Sequence, residues 1–249
     1  MRTALLALAL LALTAPWAAA QSCRLALVLA LDVSGSVNDV EYAQQVNGLA
    51  YALDDPEVRR LILSGGGAHV ALAAFEWSSQ NHQYPILPWT TLDSPAAIDR
   101  AVSRIASHGR IRAGLRTAMG TSLAHAAGLL AQKPECWQTT IDVSGDGKNN
   151  IGPEPRTIYA GRGFARVIVN ALVVIDPTGD EVGTAIGIGP NRDTLLRYFE
   201  TEVIHGPGAF AMVAEGYADY ARAMRLKLLR ELAVPVFGAR ALPPGTPPG

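Results

Sequence analysis

The sequence has few of the residue types that build most metal, redox and nucleic-acid sites. It contains two cysteines and five histidines in 249 residues, and only 17% of its residues are charged. The histidines do not form the H-E-x-x-H pattern of a zinc protease. The 21 basic and 22 acidic residues nearly balance, which argues against a nucleic-acid binder, because such proteins concentrate positive charge.

Two common catalytic motifs are also missing. Val33–Ser36 lacks the leading glycine of a G-x-S-x-G nucleophile elbow, and no Asp and His follow it in an evident triad order. The glycine-rich stretch Ser64–Gly67 lacks the Lys-Ser/Thr pair of a phosphate-binding loop. These absences disfavour a serine hydrolase and a nucleotide-binding protein.

The one long apolar run is typical of a signal peptide. Arg2 precedes Ala4–Leu13, which consists only of Ala and Leu, and Ala18–Ala20 provides the small residues that signal peptidase requires. We therefore expect residues 1–20 to be a signal peptide and the protein to be exported, to a periplasm or outside the cell. No later run approaches the roughly 18 apolar residues of a membrane span, so we expect a soluble product with no membrane span.

A lipid-anchored form is the alternative, because Cys23 lies near the end of the apolar run. The preceding Ala20-Gln21-Ser22 lacks the Leu that usually opens such a cleavage box, and this disfavours the anchor.

Strand-like and helix-like runs alternate along the rest of the chain, which predicts an α/β fold on a mostly parallel sheet. Tyr84–Trp89 contains two prolines and is expected at a sheet edge. The other expected strands are apolar on both faces, as helices packed on both sides would require: Leu25–Leu31, His69–Phe75, Thr139–Ser144, Val167–Ile175 and the shorter Ala209–Val213.

Helix starts are marked by capping residues. Asn38 and Glu41 resemble a capping box, and Pro56 and Pro95 each follow a capping residue. The remaining expected elements are helices at Thr121–Ala131 and Tyr217–Leu232, a glycine-rich loop at Pro177–Pro190, and a disordered Pro-rich tail at 241–249. One domain should therefore occupy residues 21–240.

Polar residues follow two of the expected strands and open one helix. Asp32-Val33-Ser34-Gly35-Ser36 follows the first strand, and alone it reads as an ordinary turn. Gly120-Thr121-Ser122 opens a helix, and Ser144-Gly145-Asp146-Gly147 ends another strand.

Together, these three segments resemble the metal-ion-dependent adhesion site of von Willebrand factor A domains. Further stretches are similar to an exported bacterial branch of that superfamily known as a domain of unknown function: Phe75–Ser78, Ile141–Gly147 with Asn149-Asn150, and Gly206–Phe210. The resemblance covers nearly all of the chain after the leader. It implies a three-layer, doubly wound, mostly parallel sheet with one antiparallel edge strand and helices on both faces.

The resemblance also implies a set of metal ligands: Asp32, Ser34, Ser36, Thr121 and Asp146. Oxygen ligands suit Mg²⁺, with Mn²⁺ or Ca²⁺ as alternatives. The pattern leaves one coordination position open, which an Asp or Glu of a partner protein or peptide can fill. This implies a binding module for adhesion or scaffolding, with no catalytic residues.

If the first and fourth strands are neighbours, as in the resembled family, Cys23 and Cys136 lie at their near ends. We therefore expect a disulfide between them, which suits an oxidising compartment; two buried thiols are the alternative. Asp142 should be buried, either supporting the ion or, as we favour, making a polar tie to a neighbouring loop. His125 could face the site but is expected on the helix surface.

Two other functions stay open. A metal-dependent hydrolase acting on phosphate esters could use Asp32 as nucleophile or base, but Ser34 stands where aspartyl phosphatases have a second Asp. A structural envelope protein with a degenerate site is the other alternative.

Overall fold

The computed structural model describes residues 22–111, 114–175 and 192–233. The expected signal peptide at residues 1–20, the expected loop Pro177–Pro190 and the expected tail at 241–249 lie outside the described residues. None of the described helices is both long and apolar enough to cross a bilayer.

The described strands form one six-stranded sheet in the order β3-β2-β1-β4-β5-β6. β3 pairs antiparallel with β2, and every other pair is parallel. This confirms a mostly parallel sheet with the proline-containing strand at one edge. The strands are β1 (Cys23–Asp32), β2 (His69–Trp77), β3 (Gln83–Leu92), β4 (Gln138–Gly145), β5 (Val167–Ile175) and β6 (Ala211–Glu215).

Helices cover both faces of the sheet, which confirms the three-layer architecture. One buried cluster holds side chains of α1, α2, α3 and α7, and a second holds those of α4 and α6, with α5 packed against it. The described helices are α1 (Asp39–Asp54), α2 (Pro56–Leu63), α3 (Pro95–Ala106), α4 (Met119–Leu130), α5 (Pro155–Ile158), α6 (Arg192–Tyr198) and α7 (Tyr220–Leu232).

Strand β1 shows why the chain forms two cores. Its leucines point into the first cluster. The smaller residues between them, Ala26, Val28 and Ala30, point into the second. Both faces are buried, as expected for a central strand between two helical layers. The capping box of Asn38 and Glu41 is present at the start of α1.

Several element boundaries differ by one to three residues from the sequence expectation. β6 begins at Ala211 instead of Ala209, and α7 is preceded by a short 3₁₀ turn at Tyr217–Asp219. α4 begins at Met119, two residues before Thr121, although no side chain of its own caps it. Its first turn is held by residues distant in sequence, as described below.

β1 and β4 are parallel neighbours, and the expected disulfide lies at their near ends. Leu25 is aligned with Gln138 and Leu31 with Ser144. Cys23 and Cys136 are bonded, with their Cα atoms 4.4 Å apart across a sequence separation of 113. The expected disulfide is therefore confirmed, and so is the expectation that β1 and β4 are neighbours.

Removing the disulfide by Cys23→Ala/Cys136→Ala should lower the free energy of unfolding by about 4–5 kcal/mol, because the unfolded chain regains the entropy of a long loop. Urea denaturation with and without reductant measures this. The double variant should not respond to reductant, whereas the wild type should; equal stability of oxidised and reduced wild type would contradict the expectation.

Asp142 is tied to the last helix. Its Oδ2 lies 2.8 Å from Nζ of the fully buried Lys227, which also pairs with Glu231 at 2.7 Å. Asn170 of β5 donates to the same Glu231 oxygen at 2.7 Å. The structure thus supports a structural role for Asp142, although the polar tie is to helix α7 and not to a loop.

One cation faces two carboxylates in this buried group, so a net negative charge stays when both are ionised. Burial raises the pKa of Asp142 to about 7; Lys227 opposes this rise and Glu231 adds to it. Between about pH 4 and pH 7 the folded protein therefore holds a proton that the unfolded chain has released.

The free energy of unfolding should consequently decrease as pH rises from about 4 to 7, and level off above that range. Asp142→Asn should make this decrease less steep, measured by urea denaturation at several pH values; Asp32 and Asp146, whose pKa values burial also raises, contribute the remaining slope. Asp99→Asn, which changes an exposed carboxylate of α3, should leave the slope as in wild type. A slope as steep in Asp142→Asn as in wild type would contradict the assignment.

Candidate metal-ion site

The first half of the site is the turn that follows β1. Asp32 ends the strand and is fully buried. Its Oδ1 accepts a hydrogen bond from the Ser34 backbone amide at 2.8 Å. The Ser34 and Ser36 hydroxyl oxygens lie 3.4 Å apart. The turn therefore gathers one carboxylate and two hydroxyls on one side of the chain.

The second half is the turn that follows β4. Asp146 accepts a hydrogen bond from the Ser36 hydroxyl at 2.7 Å, which joins the two turns across 110 residues of sequence. The carboxyl ends of parallel neighbours meet at one edge of a sheet, and ligand sites of open α/β sheets occur where strand order reverses, as it does here between β1 and β4. The structure thus brings Asp32, Ser34, Ser36 and Asp146 together.

One carboxylate oxygen in this group has no hydrogen-bond partner. Asp32 Oδ2 is buried and unpartnered, and it lies 3.1 Å from where a Cβ on Gly145 would stand. A larger residue at position 145 would crowd this oxygen. A buried carboxylate oxygen without a donor is costly, and either a proton or a bound cation would compensate it.

The pKa shifts of the two carboxylates agree with buried negative charge that is not fully compensated. Burial raises the pKa of Asp32 well above its ordinary value, and the charge of Asp146 raises it further, against the Ser34 hydrogen bond. Burial also raises the pKa of Asp146, while the hydrogen bond from Ser36 lowers it. Both carboxylates would ionise readily beside a cation, which compensates buried negative charge.

The donor set fits a hard divalent cation. All of the gathered groups are carboxylate or hydroxyl oxygens, which Mg²⁺ prefers to the nitrogen and sulfur ligands of zinc sites. Among the described residues there is no cluster of three or more His, Cys, Asp and Glu side chains placed to hold a metal. Any ion held here would therefore depend on serine or threonine hydroxyls in addition to the two carboxylates.

The two threonines near α4 occupy different places. The Thr121 hydroxyl faces the next segment of the β4 turn, 2.9 Å from where a Cβ on Gly152 would stand, and it makes no described hydrogen bond to the four gathered residues. The buried Thr117 lies against the residue that follows Asp146: its Oγ1 is 3.9 Å from a Cβ position on Gly147, and it likewise makes no described hydrogen bond to the four residues. Because Gly147 adjoins Asp146 and Gly152 does not, these contacts favour Thr117 as the threonine of the site.

Two asparagines after Asp146 hold this threonine loop. Asn150 Oδ1 accepts from the Thr117 amide at 2.9 Å, and Asn150 Nδ2 donates to the Thr117 hydroxyl at 3.4 Å. Asn149 Oδ1 accepts from the Gly120 amide at 3.4 Å. The turn after β4 therefore caps α4 from outside the helix and fixes the position of Thr117.

A buried hydrogen-bond chain supports the site from below. Gln45 of α1 donates to the Asp32 carbonyl at 2.8 Å. Ser144 of β4 donates to Gln45 Oε1 at 3.1 Å and accepts from the Tyr220 hydroxyl at 3.1 Å. Helices α1 and α7 are thereby connected to the strands that carry both carboxylates. His125 lies on the exposed surface of α4, with its ring against Phe75.

Comparison with known families gives one match. Residues 22–236 match the family described as "Protein of unknown function (DUF1194)". A search of curated proteins found no relative by sequence.

Solved structures share the fold at low sequence identity. Proximal thread matrix protein 1 from the mussel byssus, with a zinc-occupied MIDAS motif, has a TM-score of 0.54 and 16% identity over 85% of this chain and 48% of its own. A von Willebrand factor type A protein from Catenulispora acidiphila has a TM-score of 0.51 and 17% identity over 84% and 43%. The open form of the pilus adhesin SpaC from Lactobacillus rhamnosus GG has a TM-score of 0.55 and 12% identity over 84% and 30%.

These matches confirm the von Willebrand A fold. The chain spans about half the length of the byssus protein and less of the other two.

In the presence of chelator, Asp32→Asn should raise the free energy of unfolding by about 1–3 kcal/mol, because the amide removes an uncompensated buried charge and still accepts from the Ser34 amide. Urea denaturation measures the change. Asp55→Asn is the matched control: Asp55 pairs with Arg225 at 2.6 Å, so this variant should lose stability. If Asp32→Asn loses stability as Asp55→Asn does, the charge of Asp32 is already compensated within the protein and needs no cation.

Proposed function

The chain belongs to the DUF1194 family of proteins of unknown function, and we propose that it is a divalent-cation-dependent protein-binding module. It captures a carboxylate of a partner protein or peptide through an ion held at the switch point of the sheet. The observation that carries this proposal is the buried, unpartnered Asp32 Oδ2 beside Asp146. The byssus protein with a zinc-occupied MIDAS motif supports a metal role for this fold.

Five oxygen donors would hold the ion. Asp32 and Asp146 balance its double positive charge, and Ser34 and Ser36 add hydroxyls. The sequence assigns the fifth donor to Thr121, and the distances given above favour Thr117. When bound, Mg²⁺ supplies a positive charge and an open coordination position, which suits recognition of an acidic side chain.

The module acts outside the cytoplasm in this proposal. Residues 1–20 are its signal peptide, residues 21–240 its von Willebrand A domain and residues 241–249 its tail. The disulfide between Cys23 and Cys136 supports an oxidising location, either a periplasm or the extracellular space.

Mg²⁺ at 100 times its dissociation constant should raise the free energy of unfolding by about 2.7 kcal/mol, reversed by chelator, because the ion binds only the folded state. Asp32→Ala and Asp146→Ala should abolish this shift. Asp99→Ala, at a side chain 63% exposed on α3, should retain it. Denaturation curves that do not move with saturating Mg²⁺, Mn²⁺ or Ca²⁺ would defeat the proposal.

The same assay separates the two threonines. Thr117→Val should weaken Mg²⁺ binding about tenfold or more, whereas Thr121→Val should change it by less than about twofold, because valine keeps the shape and removes only the hydroxyl; a tenfold change is about 1.4 kcal/mol. The reverse order would return the ligand role to Thr121.

A further inference from the structure

The most exposed large apolar side chain of the described residues lies beside the candidate site. Leu115 is 82% exposed. A Cβ on Gly35 would stand 3.0 Å from the Leu115 carbonyl oxygen and 3.2 Å from its Cδ2. Gly35 separates the two serines of the site, so Leu115 lies directly over the turn that would hold the ion.

The backbone around Leu115 is fixed by hydrogen bonds on both sides. The Gly114 amide donates to Ser78 Oγ at 3.1 Å, and the Arg116 amide donates to Ser79 Oγ at 3.4 Å. A side chain at position 114 would collide with Ser79, since its Cβ would stand 2.1 Å from Ser79 Oγ. Residues 114–116 therefore pack closely on the two serines that follow β2.

This placement differs from that of an ordinary exposed apolar residue. Isolated apolar side chains on a surface need no explanation, but this one is the apolar neighbour of an otherwise polar site. Consecutive Cα atoms are 3.8 Å apart, so the contact with Gly35 puts Leu115 within one or two residue lengths of the Ser34 and Ser36 hydroxyls. A chain whose carboxylate reached the ion would lay its adjacent residues on Leu115.

We propose that Leu115 is a specificity-determining residue, which selects partner segments with an apolar side chain one or two residues from the bound Asp or Glu. This inference rests on the proposed function, because the bound carboxylate fixes the position of the partner segment relative to Leu115. The ion supplies attraction for any accessible acid, and burial of Leu115 against an apolar neighbour discriminates among the acidic segments.

A peptide library with a fixed central Asp and two randomised positions on each side tests this. Peptides are bound to the immobilised protein in Mg²⁺, eluted with chelator and sequenced. Wild type should enrich apolar residues beside the Asp about tenfold, in keeping with burial of one leucine-sized contact. Leu115→Ser should still bind Asp peptides in a chelator-sensitive manner and should lose the apolar enrichment.

Two controls make the result specific. Tyr51→Ser changes a side chain of α1 that is 69% exposed. Tyr51 lies twelve residues after Asp39, where the helix begins, and so about 18 Å from that end of the helix. This variant should keep the wild-type preference for apolar residues beside the Asp. A library with Asn in place of the fixed Asp, and without Asp or Glu at the randomised positions, should give no chelator-eluted peptides.

The possible failures are distinguishable. Chelator-sensitive binding of Asp peptides without apolar enrichment in wild type, or with the same enrichment in Leu115→Ser, would overturn the role of Leu115 and leave the proposed function standing. No chelator-sensitive binding of Asp peptides by wild type would overturn both. The Mg²⁺ stability shift, measured on Leu115→Ser, verifies that the variant is folded and holds the ion.

Discussion

Two carboxylates at the ends of adjacent parallel strands, one fully buried and one half-buried, impose the main constraint on this structure. Asp32 ends β1 and Asp146 follows β4, and the register that aligns Leu31 with Ser144 places both at the same edge of the sheet. Ser36 binds one and the Ser34 amide binds the other, but one Asp32 oxygen has no hydrogen-bond partner. A cation is the group that would compensate both charges, and a chain without such a group would gain stability by losing one of them.

Other features of the fold maintain this arrangement. The disulfide fixes the near ends of β1 and β4, while hydrogen bonds to the turns fix their far ends. The chain from Gln45 through Ser144 to Tyr220 connects the outer helices α1 and α7 to these same two strands. Because each of these groups is buried and bonded to the next, displacement of either helix would disturb the backbone that positions the carboxylates.

Much of the fold could be predicted from the sequence, because central strands buried on both faces leave continuous apolar runs such as Leu25–Leu31. The Asp-x-Ser-x-Ser turn was also visible, because its residues are adjacent in the chain. Contacts between segments that are distant in the sequence could not be predicted in this way. Lys227 lies in a helix of mixed polarity, and its burial depends on carboxylates that include one from β4.

The start of α4 shows the same limit. Sequence rules place a helix start at a local capping residue, and Gly120-Thr121 fits that expectation. The helix instead begins at Met119, because Asn149 and Asn150 from another turn hold its first residues. The sequence contains the Asn149-Asn150 pair, but its hydrogen bonds to the Thr117 loop span about 30 residues. No local sequence pattern indicates such bonds.

The most direct measurement is anomalous diffraction from crystals grown or soaked with Mn²⁺. The account predicts one strong anomalous peak in direct contact with oxygen atoms of the two serines and with Asp32 or Asp146, at the carboxyl ends of β1 and β4. An Mn²⁺ peak elsewhere, with no cation bound to Asp32 or Asp146, would contradict the central claim.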